Sequence, residues 1–105
     1  MEDNPVVVMI AVPSQEDGAR IARMLVEKRL AACVQALPVT STYRWKEKIE
    51  TAGEVLLLAK ARAGIFPALQ AAIVELHPYD VPEIISLPTD AVHGPYREWL
   101  MAETI

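Results

Sequence analysis

A single cysteine, Cys33, leaves the chain without an intramolecular disulfide, and an unpaired thiol suits a reducing compartment. Aromatic residues make up only 6%, so the core must be assembled from Val, Ile, Leu and Ala. There is no excess of base: the formal net charge is -4, which argues against a nucleic-acid backbone as partner, since that needs clustered Lys and Arg. A basic leader is also missing. The first residues, MEDNPVVVMIAVP, are acidic ahead of an apolar run too short to span a membrane. The expectation is a soluble, cytoplasmic protein with neither nucleic acid nor membrane as partner. What is present is an ordinary globular balance, 52% hydrophobic and 23% charged, which excludes a disordered chain. A length of 105 residues predicts one domain, 1–105. So small a core gains from oligomerisation.

Residues 6–12, VVVMIAV, form a short β-branched run ending at Pro13 and predict a strand buried on both faces. Ser14 then offers an N-cap with Asp17 placed for a capping box. Ala19, Ala22, Leu25, Val26 and Arg29 follow at helical spacing with Ile21 on the flank, predicting an amphipathic helix of about four turns. Residues 30–37 are apolar again up to Pro38, where a bend or bulge is expected because proline cannot donate to a ladder. Beyond it, Val39, Ser41, Tyr43 and Trp45 alternate with Thr40, Thr42, Arg44 and Lys46, as a strand requires. After a turn near Glu47 and Lys48, residues 49–61 supply the second arm of a hairpin. Arms of about a dozen residues exceed the usual strand of about five or six, so the hairpin must project past its own core and seek another subunit.

Pro67 anchors a second helix at its first turn, with Phe66, Leu69, Ala72, Ile73 and Leu76 as the apolar stripe. Residues 83–87, EIISL, predict a fourth strand. Gly94 and Pro95 open a short last helix that buries Tyr96, Trp99 and Leu100. The order βαββαβ plus a C-terminal helix is the plan of the ferredoxin-like split βαβ, an α+β fold with an antiparallel sheet and helices on one face.

The chemistry-bearing residues are few. His77 has Asp80 and Glu83 nearby in sequence, yet no CxxC or HxxxH spacing marks a zinc site. Two readings stand side by side: His77 closes the second helix, or it gives one ligand to a metal shared between subunits. Cys33, between Ala32 and Val34, is expected to be buried and inert. No glycine or arginine occupies the first strand–helix connection, which speaks against an acylphosphatase-type phosphate loop. Lys60, in phase with Leu56 and Leu58, either pairs with a carboxylate, for which Glu83 is the candidate, or ends its strand at the surface.

The motifs Leu30-Ala-Ala-Cys-Val, Ser41-x-Tyr-x-Trp45, Glu54-x-Leu-Leu-Leu-x-Lys60, His77-Pro-Tyr-x-x-Pro-Glu83 and Tyr96-x-x-Trp99 occur in the order and spacing of the CutA family of divalent-cation tolerance proteins, and the chain resembles that family from Val6 to about Glu103. The resemblance implies a ferredoxin-like subunit in a compact homotrimer and a non-enzymatic role in tolerance to divalent metals, copper in particular. It implies a cleft between subunits formed by Ser41, Tyr43, Trp45, Lys60, His77, Tyr79 and Glu83, with His77 as the metal ligand. Divalent metal such as Cu2+ is then an expected ligand, not a requirement for folding. The implied trimer also resembles that of the PII signalling proteins, which makes a small anionic ligand at the same cleft the alternative. Family members with the fuller copper-ligand set have a cysteine where this chain has Ile10 and a second histidine where it has Leu76. Many members also carry glycine at the hairpin tip where this chain has Glu47, so a turn without positive φ is expected there.

Overall fold

The computed structural model describes residues 3–105. In chain order these form β1 (Pro5–Val12), α1 (Gln15–Glu27), β2 (Cys33–Trp45), β3 (Lys48–Arg62), a 3-10 turn (Ala63–Ile65), α2 (Phe66–Leu76), β4 (Ile84–Pro88) and α3 (Gly94–Glu103). The sheet is antiparallel in the order β2-β3-β1-β4, as the ferredoxin-like plan requires. No helix among the described residues is long and apolar enough to cross a membrane.

Strand register divides the side chains between two faces. The pairs Val6–Ala61, Val8–Ala59, Ile10–Leu57 and Val12–Val55 lie on one face, where all eight are buried in one cluster with Ile21, Leu25, Leu69 and Ile73 of α1 and α2. Deleting a fully enclosed side chain such as Leu57 leaves a cavity, which costs about 2–5 kcal/mol. The buried stripe of α1 is Gly18, Ile21 and Leu25. Leu25 and the flanking Ile21 are buried as expected, whereas Ala19, Val26 and Arg29 are exposed, so the stripe is turned toward Ile21 relative to the sequence reading. Gly18 is the reason: a Cβ there would sit 3.3 Å from Val12 Cγ2 and 3.4 Å from Leu57 Cδ2, so glycine lets the helix close on the sheet at that turn.

The N-cap is as expected. Ser14 Oγ accepts from the Asp17 N–H at 3.1 Å and donates to Asp17 Oδ2 at 2.8 Å. Together with the Arg20 guanidinium, that hydroxyl holds the Asp17 carboxyl below its ordinary value. The helix ends in a Schellman arrangement, with Leu30 N–H to Leu25 O and Arg29 N–H to Val26 O. Arg29 takes the left-handed position at φ 59° in place of glycine. Its guanidinium donates to the carbonyls of Ala102 and Glu103 at the end of α3, where the helix dipole favours a cation.

Pro38 causes no bulge. The β2–β3 register runs unbroken from Cys33–Lys60 through Pro38–Val55 to Trp45–Lys48. Because β2 is an edge strand, the missing N–H of Pro38 costs no ladder bond when it faces outward. The turn differs from expectation too. Lys46 and Glu47 form a two-residue connection with φ 50° and 68°, since the twist of a tight hairpin demands a turn with two positive φ values whatever residues occupy it.

β1 pairs with β3 only as far as Val12–Val55. Residues 39–54 therefore extend beyond the four-stranded sheet as a two-stranded arm, and residues 42–51 are all exposed. The arm lengthens the molecule to 44 × 26 × 23 Å and raises the radius of gyration to 14.3 Å, against about 13 Å for a compact chain of this length. On α3 only Leu100 is buried; Tyr96 and Trp99, expected to bury with it, pack against each other in a tilted pair at 5.5 Å and stay substantially exposed. The helix is held by polar contacts instead. Arg62 donates to Met101 O, Thr104 O and Thr104 Oγ1.

Candidate functional site

The site is a cleft of about 730 Å³ where the base of the arm meets the loop between α2 and β4. Alternation along β2 turns Ser41, Tyr43 and Trp45 to the face opposite α1 and α2, and Glu54 of β3 joins them through its pairing with Val39. The loop supplies the opposite wall, with Tyr79, Asp80 and Glu83. Five of the residues read from the sequence thus come together: Ser41, Tyr43, Trp45, Tyr79 and Glu83. Two do not line the cleft, Lys60 and His77.

His77 stands behind the wall. It is the C-cap residue of α2 and only 8% exposed. Its Nδ1 accepts from the Tyr79 N–H at 3.1 Å. That fixes the ring proton on Nε2, which donates to Ala11 O at 2.7 Å. Ala11 lies one residue past the last β1–β4 pair, Ile10–Ile84, so the imidazole serves a carbonyl that the short β4 does not reach. Both ring nitrogens are committed to holding the loop against the sheet.

Tyr79 turns that anchorage into site geometry. Its ring packs 4.9 Å from the His77 ring, and its hydroxyl donates to Glu54 Oε2 at 2.8 Å, bridging loop and arm. Burial, followed by the adjacent Glu54 carboxylate, pushes the phenol up to about 12. The hydroxyl therefore remains a donor throughout the neutral range.

Lys60 lies six residues from Glu54 along β3, roughly 20 Å at strand rise. It donates to Gln35 Oε1 at 2.7 Å and not to Glu83. Cys33 is its cross-strand neighbour, and the thiol is half-buried on the open face, not enclosed as expected. Burial and the Cys33 thiol push the Tyr96 phenol up.

The resulting electrostatics are one-sided. Glu54, Asp80 and Glu83 line the cleft with the hydroxyls of Ser41, Tyr43 and Tyr79, and no Lys, Arg or His lines it among the described residues. None of these carboxylates belongs to a salt bridge among the described residues. Nor do three His, Cys, Asp or Glu side chains of the described residues converge as a metal-holding group within the chain. One cleft acid escaped the sequence reading as a site residue: Glu54 opens one of the motifs but sits in an apolar strand whose phase gives no sign of Tyr79, 25 residues away. Asp80 was visible only as an acid near His77 in sequence, and the fold puts it on the cleft wall while His77 stands behind it.

Comparison with known proteins agrees with the motif reading. The family described as CutA1 divalent ion tolerance protein matches residues 6–103. A Thermus thermophilus divalent-cation tolerance protein CutA is 46% identical over 99 residues, covering 93% of this chain and 96% of that one. The human protein CutA is 43% identical over 96 residues, 90% of this chain but 54% of its own length. The chain thus spans nearly all of the first relative and about half of the second. Among solved structures, the Thermus thermophilus Cut A1 protein superposes with a TM-score of 0.94 at 45% identity, covering 96% of this chain and 99% of that one. CutA1 from Oryza sativa gives 0.95 at 39% identity, covering 97% and 94%. The architecture, the ordered motifs and these likenesses together place the chain in the CutA1 divalent ion tolerance family.

Proposed function

We propose that the chain serves divalent-cation tolerance as a non-enzymatic, cytoplasmic homotrimer, and that its ligand is a positively charged species held in the cleft at a subunit boundary. The observation that carries this reading is the charge of the site: three carboxylates and, among the described residues, no basic group line it. Carboxylates of one sign grouped in a cleft sum their attraction for a cation. Carboxylate, phenol and hydroxyl oxygens are serviceable ligands for divalent metals, with a second subunit free to add to them. His77 supports the wall in this scheme. A metal at Nδ1 would first have to displace the Tyr79 N–H, whereas Glu54 accepts a single side-chain hydrogen bond among the described residues, on one carboxylate oxygen.

The alternative, a small anion bound through Lys60 as in a PII-like protein, has less support. The ammonium is occupied by Gln35 and distant from a cleft of the opposite sign. Calorimetric titration with copper(II) tests the proposal. Glu54→Gln should weaken binding about tenfold, the loss of one charge-assisted contact, while His77→Ala, in protein still folded, should weaken it less, because the ring holds the wall and not the ion. Abolition by His77→Ala with Glu54→Gln unaffected would move the metal to the histidine.

A further inference from the structure

The arm is the least supported part of the subunit. β1 accompanies β3 only to Val12–Val55, and the pairs from Val39–Glu54 to Trp45–Lys48 continue without a third strand. A two-stranded ribbon twists more strongly than a sheet and is marginally stable alone. It projects roughly 20 Å at strand rise, so a swing of about 10° at its base moves the tip by about 3 Å. Its outer edge, on β2, has no neighbouring strand within the chain. A second copy of the chain can cover that edge only if the arm points the right way.

One bracket sets that direction. The Tyr79 hydroxyl donates to Glu54 Oε2 at 2.8 Å, on the first arm residue of β3 beyond the Val12–Val55 pair. Tyr79 is itself anchored: its N–H donates to His77 Nδ1 at 3.1 Å, and His77 Nε2 donates to Ala11 O at 2.7 Å. Ala11 pairs with Leu56 of β3, the next residue after Glu54 on the same strand face. The contacts therefore close on themselves, from β3 through Tyr79 and His77 to β1 and back to β3. Among the described residues, the other side-chain hydrogen bond of the arm, between Thr42 and Thr51, joins its two strands only to each other. Every group of the bracket belongs to one chain, so no partner is needed to form it.

We infer that Tyr79 is a positioning residue for assembly: through Glu54 it holds the arm at the angle at which a second copy of the chain docks and the ring of subunits closes. This rests on the homotrimer proposed above and goes further by naming the contact that prepares the subunit for it. Head-to-tail contacts close into a ring only when the rotation between neighbours is right, and otherwise run on as open chains. An arm already held in its docking direction also avoids the ordering cost that a swinging one meets on association.

Assembly kinetics of the full chain test this. The protein is diluted from guanidinium chloride, with tryptophan emission following subunit folding and light scattering following the concentration-dependent assembly step. Tyr79→Phe keeps the ring and removes the hydroxyl. It should slow assembly about tenfold, as when only about a tenth of the arms stand in the docking direction, and leave the folding phase unchanged. Glu54→Ala breaks the bracket from the arm side and should slow assembly equally; it carries the same test should Tyr79→Phe not fold. The double variant should be no slower than either single one, since partners in one contact are not additive. Assembly of the single variants at the wild-type rate would overturn the inference. Effects that multiply in the double variant would overturn it too, as would a folding phase slowed as much as assembly. A wild-type chain that stays at single-chain mass would remove the homotrimer itself, and the inference with it.

Discussion

His77 illustrates how a residue with metal-ligand chemistry is spent on structure. It stops α2 and satisfies two backbone groups at once, the Tyr79 N–H and the Ala11 carbonyl. His77→Ala should lower the unfolding free energy by about 1–3 kcal/mol, the cost of stranding a buried acceptor, measured by urea denaturation at fixed protein concentration. No change would mean that water replaces the ring. Its helix-stop role was legible because Pro78 follows it. Its partners were not, since Ala11 is 66 positions away in sequence. Tyr79 and Asp17 give the molecule opposite pH dependences. The Tyr79 phenol, raised to about 12 when folded, stabilises the protein below its unfolded value near 10, and that contribution is lost as pH rises through 12. Asp17, depressed by Ser14 and Arg20, contributes above its ordinary value near 4 and loses the contribution as pH falls. Ultraviolet titration should show tyrosine ionisation extending to about pH 12, with Tyr96 also raised, and Tyr79→Phe should remove the latest component.

At the scale of elements, the hairpin arm concentrates what local sequence reveals and what it hides. Alternation from Val39 to Trp45 revealed both the strand and the face that carries Ser41, Tyr43 and Trp45 into the cleft. The turn was misread because its residues have no preference for the conformation imposed on them. Strand pairing on both sides leaves two residues between Trp45 and Lys48, and right-handed twist then forces positive φ on Lys46 and Glu47. That conformation costs a residue with a Cβ about 1–2 kcal/mol. Glu47→Gly should therefore stabilise the protein by about 1 kcal/mol, seen as a higher denaturation midpoint at constant protein concentration. A lower midpoint would mean that the Glu47 side chain makes a contact worth more than the strain. Pro38 was misread for a related reason: its effect depends on whether its strand lies at an edge, which is a property of the sheet and not of the segment.

For the whole molecule, the two sheet faces have different fates. The face toward α1 and α2 is closed, and Leu57→Ala there should cost about 2–5 kcal/mol by denaturant unfolding. The other carries Val7, Met9, Leu56 and Leu58 half-covered, with Leu37, Ile85 and Leu87 well exposed. This apolar face, the unpaired edge of β2 and the projecting arm are what a subunit interface would cover. The order of elements and the core were readable from periodicity. The open face was partly readable, from a hairpin too long for its domain. The acidity of the cleft was not, because Glu54, Asp80 and Glu83 meet only in three dimensions. An assembly that buries the open face and sets the cleft at a subunit boundary is the central claim, and sedimentation equilibrium tests it most directly. The prediction is a single species of three times the 11.6 kDa chain across the micromolar range; a species of one chain mass at those concentrations would contradict it.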